Sequence, residues 1–256
     1  MRISVVIITY NEEKHIERCL RSVGKVADEI VVLDSISADR TVEIARRYGA
    51  VVYSQPFAGY VAQKNRALEL ATNDYVLCLD ADEALSEELA ESILRMKEQD
   101  KAGTWKMNRR AFYCGAYITH GAWYPEPKLR LFDRRRMKWG GYDPHDRVIP
   151  PAGVNVGKMK GDLLHYICET VEEHERRSRN FSTIASRSLY KAGIKTNWLK
   201  MIGSPAWFFI SDYVFRGGFL GGWRGWKIAT IQTKYHFEKY RKLYRLHKQQ
   251  DLNKPV

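Results

Sequence analysis

The stretch ISVVIITYNEE, residues 3–13, decides the fold class. Ile3–Thr9 is an almost unbroken apolar, β-branched run, the pattern of a strand buried on both faces, and it stops abruptly at Tyr10, Asn11 and two acids. Ile16, Cys19, Leu20 and Val23 then recur at helical spacing, so a helix follows the strand. Outward from this pair the rhythm repeats. Residues 29–34 form a second apolar run ending in Asp34, residues 41–48 a short helix stopped by Gly49, and residues 50–53 a third strand. A helix through Gln63, Lys64, Asn65 and Ala67 to Ala71 leads into a fourth strand, Tyr75 to Leu79, ending at Asp80. Ser86, Glu87 and Glu88 open the next helix. Strand–helix alternation of this kind predicts an α/β fold with a mainly parallel sheet flanked by helices.

Ligands of such sheets bind beyond the carboxyl ends of the strands. Thr9, Tyr10 and Asn11 follow the first strand, Asp34 the second, and Asp80, Asp82 and Glu83 the fourth, so one acidic crevice is expected there, with helix starts nearby that suit phosphate. From about residue 104 the pattern changes to Trp/Tyr-rich short strands punctuated by Pro125, Pro127, Gly140, Gly141, Pro144, Pro150 and Pro151, which predicts an antiparallel extension carrying a second substrate. Residues 169–192 read as a charged helix with an apolar stripe at Phe181, Ile184, Ala185 and Leu189, closed by Gly193.

The 256 residues, 45% hydrophobic and 28% charged, exclude a disordered chain and a disulfide miniprotein. The net charge of +12 is unevenly placed: residues 187–256 hold 14 Lys and Arg against 3 Asp and Glu, leaving the preceding body nearly balanced. Cys19, Cys78, Cys114 and Cys168 lack any CxxC or metal-ligand spacing and read as buried thiols of a reducing compartment. The apolar run at the start is too short for a signal sequence. Around residues 201–223, Asp212, Arg216 and five glycines interrupt the apolar stretch, so no spanning helix is expected.

Two carboxylates two positions apart on an extended backbone project to the same side. Asp80 and Asp82 therefore predict a site for a hard divalent ion, Mg²⁺ or Mn²⁺, which would offset the repulsion between Asp80, Asp82, Glu83 and a diphosphate. The competing reading makes these acids first-turn charges of the helix starting near Ser86; their place after a buried strand, opposite Asp34, favours the ion. Arg130 and the run Arg134–Arg136 are candidates for neutralising phosphates, the run reading equally as a solvated hairpin face. Trp123 and Tyr124 suit either stacking on a sugar or simple packing.

The strings VVIITYNEE, VVLDSISADRT, QKNRALELATNDYVLCLDADEAL and HGAWYPEPKLRLF closely resemble the family 2 glycosyltransferases of the GT-A (Rossmann-like) fold, over most of residues 3–168. Within that family the chain is most similar to the bacterial branch that adds a sugar, often glucose, to a heptose of the lipopolysaccharide inner core. The resemblance implies a catalytic domain over residues 1–168, its nucleotide-sugar half about 1–103 and its acceptor half about 104–168, followed by a helical, basic, aromatic-rich region over 169–256. It places Thr9, Tyr10 and Asn11 under the nucleotide and Asp34 on the uracil or ribose. Lys64 and Asn65 match the family's basic–Asn element beside the nucleotide. Asp80 would contact ribose or donor sugar, Asp82 the metal, and His165, in LLHY, either closes the metal shell or is a core histidine.

The implied reaction is an inverting single displacement. A hexose, glucose first, moves from a UDP-sugar to a lipopolysaccharide core or other envelope glycolipid, with a carboxylate as base and a divalent metal on the leaving diphosphate. For the base, Asp146 in DPHDRV stands where the branch commonly has the Glu of a His-Glu pair, and Glu126 in WYPEPKLRLF competes with it. An Asp that the branch often carries in its GGFLDGW-like segment is replaced here by Gly221, so no role tied to that acid transfers.

In the tail, WFFISDYVFRGGFLGGWRGWK is followed by a stripe at Ile228, Ile231, Tyr235, Phe237, Tyr240 and Tyr244. Aromatics with this basic excess predict contact with an anionic membrane surface, hence a cytoplasmic protein peripheral on the inner face of the cytoplasmic membrane; the alternative is a helical pair docked on the catalytic domain. A basic nucleic-acid- or lipid-binding protein without catalysis is the rival reading. It leaves the strand-end acids unexplained, and no RRM, KH or zinc-finger pattern is present, so no nucleic-acid partner is expected.

Overall fold

The computed structural model describes residues 1–143 and 145–252; Pro144 and the last four residues of the tail region lie outside them. The chain divides into two compact units, one formed by residues 1–111, 126–141 and 146–166, the other by residues 112–125, 142–145 and 167 onward.

In the first unit, β1 (Ile3–Thr9), β2 (Glu29–Asp34), β3 (Val51–Ser54) and β4 (Tyr75–Asp80) pair in parallel in the order β3-β2-β1-β4. The sheet continues through β8 (Glu126–Asp133), β6 (Thr104–Tyr113), β11 (Val156–Cys168) and β5 (Glu83–Leu85). The β4–β8, β8–β6 and β11–β5 pairings whose partners are described are antiparallel. The antiparallel extension expected after residue 104 is therefore an extension of the same sheet. Strands β7 (Ala116–Tyr117), β9 (Lys138–Tyr142) and β10 (His145–Ile149) complete the set, β9 and β10 pairing with each other.

Side chains of successive residues alternate between the two faces of the sheet. Ile3, Val5 and Ile7 of β1 pack with Leu77 and Leu79 against α1 (Ile16–Val23), α2 (Thr41–Arg47) and α4 (Glu87–Glu98). Val6, Val31, Leu33, Val76 and Cys78 face the other way and bury Ala67 and Leu68 of α3 (Tyr60–Leu70). Each such branched side chain contributes roughly 1.5–3 kcal/mol on full burial. Helix α3 begins three residues earlier than Gln63, directly after Gly59 at φ +105°.

One crossing depends on glycine. Gly161 of β11 lies at φ +85°, and a Cβ there would fall 2.3 Å from the Leu89 backbone nitrogen. The strand thus runs directly beneath the first turn of α4, where Ser86 caps Leu89 with its hydroxyl and accepts the Asp162 amide.

In the second unit, α5 (Val171–Lys191), α6 (Trp198–Phe209), a π-helical turn at Ile210–Phe215, a 3-10 turn at Gly218–Gly221 and α7 (Gly222–Leu252) follow one another. Helix α5 is capped by Thr170, whose hydroxyl accepts from the Glu173 amide. Its buried face is not the expected stripe: of those four residues only Ala185 is buried, and His174, Ser178, Ser182 and Ser186 take the other places. Small side chains let α5 lie close along α7, and Lys242 of α7 reaches Ser182 Oγ at 2.7 Å and Thr183 Oγ1 at 2.8 Å. A second close approach joins the turns: a Cβ on Gly225 would meet the Gly218 carbonyl oxygen at 1.9 Å. Among the described residues no helix is long and apolar enough to cross a membrane. The four cysteines are free thiols, three of them buried and Cys114 partly exposed.

Candidate active site

The parallel register lines up the strand ends. Thr9 is paired with Asp34, and Ile8 with Asp80, so Thr9, Asp34 and Asp80 stand side by side at the carboxyl edge of β1, β2 and β4. Two loops close over this edge. Asn11, at φ +53°, donates its amide to Ser37 Oγ and accepts the Ala38 amide on Oδ1, both at 2.8 Å. Asp34 is buried and accepts from both the amide and the hydroxyl of Ser37. Ile36 between them is exposed and held at φ +63°, a conformation that costs a β-branched residue roughly 1–2 kcal/mol. Tyr10 is exposed, and the buried Thr9 hydroxyl has no protein partner.

Behind the edge lies a network of opposite charges. Lys64, buried on α3, places Nζ 3.0 Å from Asp80 Oδ1 and 2.8 Å from Asp146 Oδ2. Arg130 of β8 puts Nη2 2.6 Å from Glu83 and 3.1 Å from Asp80. Arg109 of β6 reaches Glu83 at 3.3 Å and its cross-strand partner Glu126 at 2.8 Å, and Lys128 meets Glu126 at 2.8 Å. Trp139 of β9 underlies the cations, its ring centroid 4.5 Å from Lys64 Nζ and 5.4 Å from Arg130. Asn65, expected beside the nucleotide, here fixes that tryptophan: its amide accepts the Trp139 N–H at 2.9 Å and donates to the Trp139 carbonyl at 3.0 Å.

The network decides the charge states. Burial alone would raise the Asp80 carboxyl, but Lys64 and then Arg130 hold it far below the usual carboxylate range. Burial opposes the charge of Arg130 too, and Glu83 and Asp80 overcome it, keeping the guanidinium protonated. At Glu126 burial is outweighed by Arg109 and Lys128, which bring it down to about 2. Two of Arg130's nitrogens, Nε and Nη1, are buried without a protein partner.

Of the strand-end acids expected to need a metal, Asp80 and Glu83 are thus matched by the protein's own cations. The Asp-x-Asp pair is also not extended, because the chain turns at Ala81–Asp82 before β5. Asp82 faces a different partner, His165 of β11, whose Nε2 lies 3.4 Å from Asp82 Oδ2. The ring's other nitrogen, Nδ1, is buried with no protein partner. A carboxylate oxygen and an imidazole nitrogen at this spacing fit one divalent cation, since neighbouring ligands of Mg²⁺ stand about 3 Å apart. Among the described residues no group of three or more His, Cys, Asp and Glu gathers as a metal cluster. Two donors would hold such an ion only with phosphate oxygens and water completing its shell.

The remaining candidates have plainer places. Arg134 donates to the Asn73 carbonyl, and exposed Arg135 pairs with Asp133 and Asp74, a solvated hairpin end. In the second unit the Trp123 ring packs 5.4 Å from Tyr113 and 5.1 Å from His174. Arg109 and Trp139 escaped the sequence reading; the signal for Arg109 was the hairpin register that sets it opposite Glu126.

Residues 4–160 match the family described as Glycosyl transferase family 2. An uncharacterized glycosyltransferase of Rickettsia typhi is 31% identical over 96% of this chain and 87% of its own. The lipopolysaccharide core biosynthesis glycosyltransferase LpsC of Rhizobium meliloti is 29% identical over 96% of this chain and 93% of its own. Among solved structures, the mannosyltransferase PcManGT of Pyrobaculum calidifontis, in complex with GDP-Man and Mn²⁺, superposes with a TM-score of 0.53 at 16% identity, covering 94% of this chain and 86% of that one. This last likeness concerns the fold, which is GT-A.

Proposed function

The chain belongs to glycosyl transferase family 2, and from that premise we propose that it transfers a hexose, glucose first, from a UDP-sugar to a lipopolysaccharide core or related envelope glycolipid, with inversion in one displacement. The observation that carries this reading is the meeting of Asp80, Lys64 and Asp146 beside the Asp82–His165 pair at the end of β4. The acceptor class draws on the likeness to LpsC.

In this reading the diphosphate lies against Asp82 and His165, which would hold a divalent cation; the cation, when bound, would neutralise the leaving diphosphate. The free N–H groups of Arg130 and the unpaired Thr9 hydroxyl supply donors to the nucleotide-sugar. Asp80, kept ionised by Lys64 and Arg130, is an acceptor for sugar or ribose hydroxyls.

Asp146 takes the acceptor's proton. Glu126 is the poorer base, because at about 2 its carboxylate holds a proton too weakly for general-base work near neutrality. Lys64 orients Asp146 and ties it to Asp80 through one shared ammonium. The reaction takes place at the inner face of the cytoplasmic membrane, where the protein is peripheral.

The test is transfer of labelled glucose from UDP-glucose to lipopolysaccharide truncated at the inner-core heptoses, with the anomer of the product read by NMR. A β-linked product from the α-linked donor supports the proposal; transfer with retention, or none with any UDP-hexose, overturns it.

A further inference from the structure

Of the stripe that the sequence offered as a membrane face, Ile228, Ile231 and Tyr235 of α7 are buried, Phe237 and Tyr240 are half-buried and Tyr244 is exposed. The larger exposed apolar surface lies on residues 198–227, which include the aromatic segment before that stripe. The outward arc of α6 and the turn after it carries Leu199, Ile202, Trp207 and Ile210, all exposed, Trp207 at 64%. Leu199, Ile202, Ala206 and Ile210 step by three and four with Trp207 beside them, so this is one helix face, and it is apolar where a surface helix should be polar. Phe215, 70% exposed, continues it with its ring 6.2 Å from Trp207, and Leu220 of the 3-10 turn is 61% exposed.

The rings of Phe209, Tyr213 and Trp226 contact one another at 5.3–5.8 Å, and buried Asp212 accepts the Ala122 amide. The same stretch exposes Lys200, Arg216 and Lys227, while its one acid, Asp212, is 2% exposed. Apolar side chains including tryptophan, ringed only by cations, match the chemistry of an anionic bilayer surface and not that of a neutral partner.

We infer that residues 198–227 dock the protein on an anionic phospholipid bilayer. Helix α6 lies in the interface plane, with Leu199, Ile202, Trp207 and Phe215 entering the headgroup–acyl boundary and Lys200, Arg216 and Lys227 on lipid phosphates. The inference deepens the peripheral location proposed above and rests on it.

The test is flotation of the full chain with vesicles of phosphatidylcholine containing 30% phosphatidylglycerol and with pure phosphatidylcholine, beside UDP calorimetry and sedimentation velocity on the same samples. The wild type is expected to bind the anionic vesicles at least tenfold better than the neutral ones. Ile202→Ser/Trp207→Ser/Phe215→Ser should lower that binding at least tenfold with UDP binding unchanged, and Lys200→Gln/Arg216→Gln/Lys227→Gln should remove the preference for anionic lipid. Absence of wild-type binding, or wild-type binding by the serine variant, overturns the inference. So does a wild-type dimer that the serine variant dissociates without any vesicle binding, which would make the face a contact between copies. Vesicle binding lost in the variant, with no UDP binding by any form, upholds the docking face and counts against the transferase reading.

Discussion

Lys64 Nζ lies 2.8 Å from Asp146 Oδ2, 82 positions further along the chain, and the same ammonium is 3.0 Å from Asp80 Oδ1. One buried cation thus binds a strand-end carboxylate to a carboxylate from the distant β10 hairpin. Lys64→Met would leave two carboxylates without their shared partner, and breaking a buried pair costs roughly 3–5 kcal/mol. Urea unfolding at pH 7 should show a loss of that order, with Lys64→Arg recovering part of it. A variant within about 0.5 kcal/mol of wild type would mean that the network does not hold the fold.

The two carboxylates considered as base should separate in kinetics. Asp146→Asn is expected to lower kcat by roughly 10²–10⁴-fold, the range of a general base. Glu126→Gln leaves the chemistry intact but removes a charged partner from both Arg109 and Lys128, so it should act mainly on stability. Steady-state transfer rates beside thermal melts distinguish the two, and a larger kcat loss in Glu126→Gln would reverse the assignment.

Acid should weaken the second unit before carboxylate titration begins in earnest. Burial pushes His174 and His236 from 6.5 down to about 4. Between those values the unfolded chain binds protons that the folded chain refuses, so stability is complete above pH about 6.5 and is lost as pH falls toward about 4. Unfolding midpoints in urea should therefore decline across this window. His174→Gln should make the decline shallower, and an unchanged slope would contradict the buried, neutral histidine.

Gly161→Ala tests the strand crossing under α4. Its left-handed backbone alone costs a Cβ-bearing residue about 1–2 kcal/mol, and the Leu89 backbone stands where the methyl would go. A melting temperature lowered by several degrees is expected; an unchanged one would show that the strand can move aside.

The parallel part of the sheet was legible because β1, β2 and β4 are largely buried and so are written as continuous apolar runs: β2 and β4 fall on Glu29–Asp34 and Tyr75–Asp80, as their patterns predict. The acidic edge was legible for the same reason, each run ending in a polar residue. The neutralising cations were not. Arg109 sits in a strand whose neighbours in sequence say nothing of Glu83, and only the β6–β8 register brings it to Glu126. Asn65 looked like a ligand residue beside Lys64, yet its amide fixes Trp139, a pairing across 74 positions that local pattern cannot reveal. On α5 the apolar stripe misled because close helix packing selects serine and alanine over larger side chains. On the tail the aromatic content was visible from the start, but which aromatics face inward depends on how α7 lies against α5 and α6.

In the proposed mechanism a divalent cation at Asp82 completes the nucleotide-sugar site. Calorimetric titration of UDP with and without Mn²⁺, on the wild type and on Asp82→Ala, tests it most directly. Binding that needs Mn²⁺ in the wild type and is lost in Asp82→Ala is the expected result; equal binding by both proteins, or no UDP binding under either condition, would contradict it.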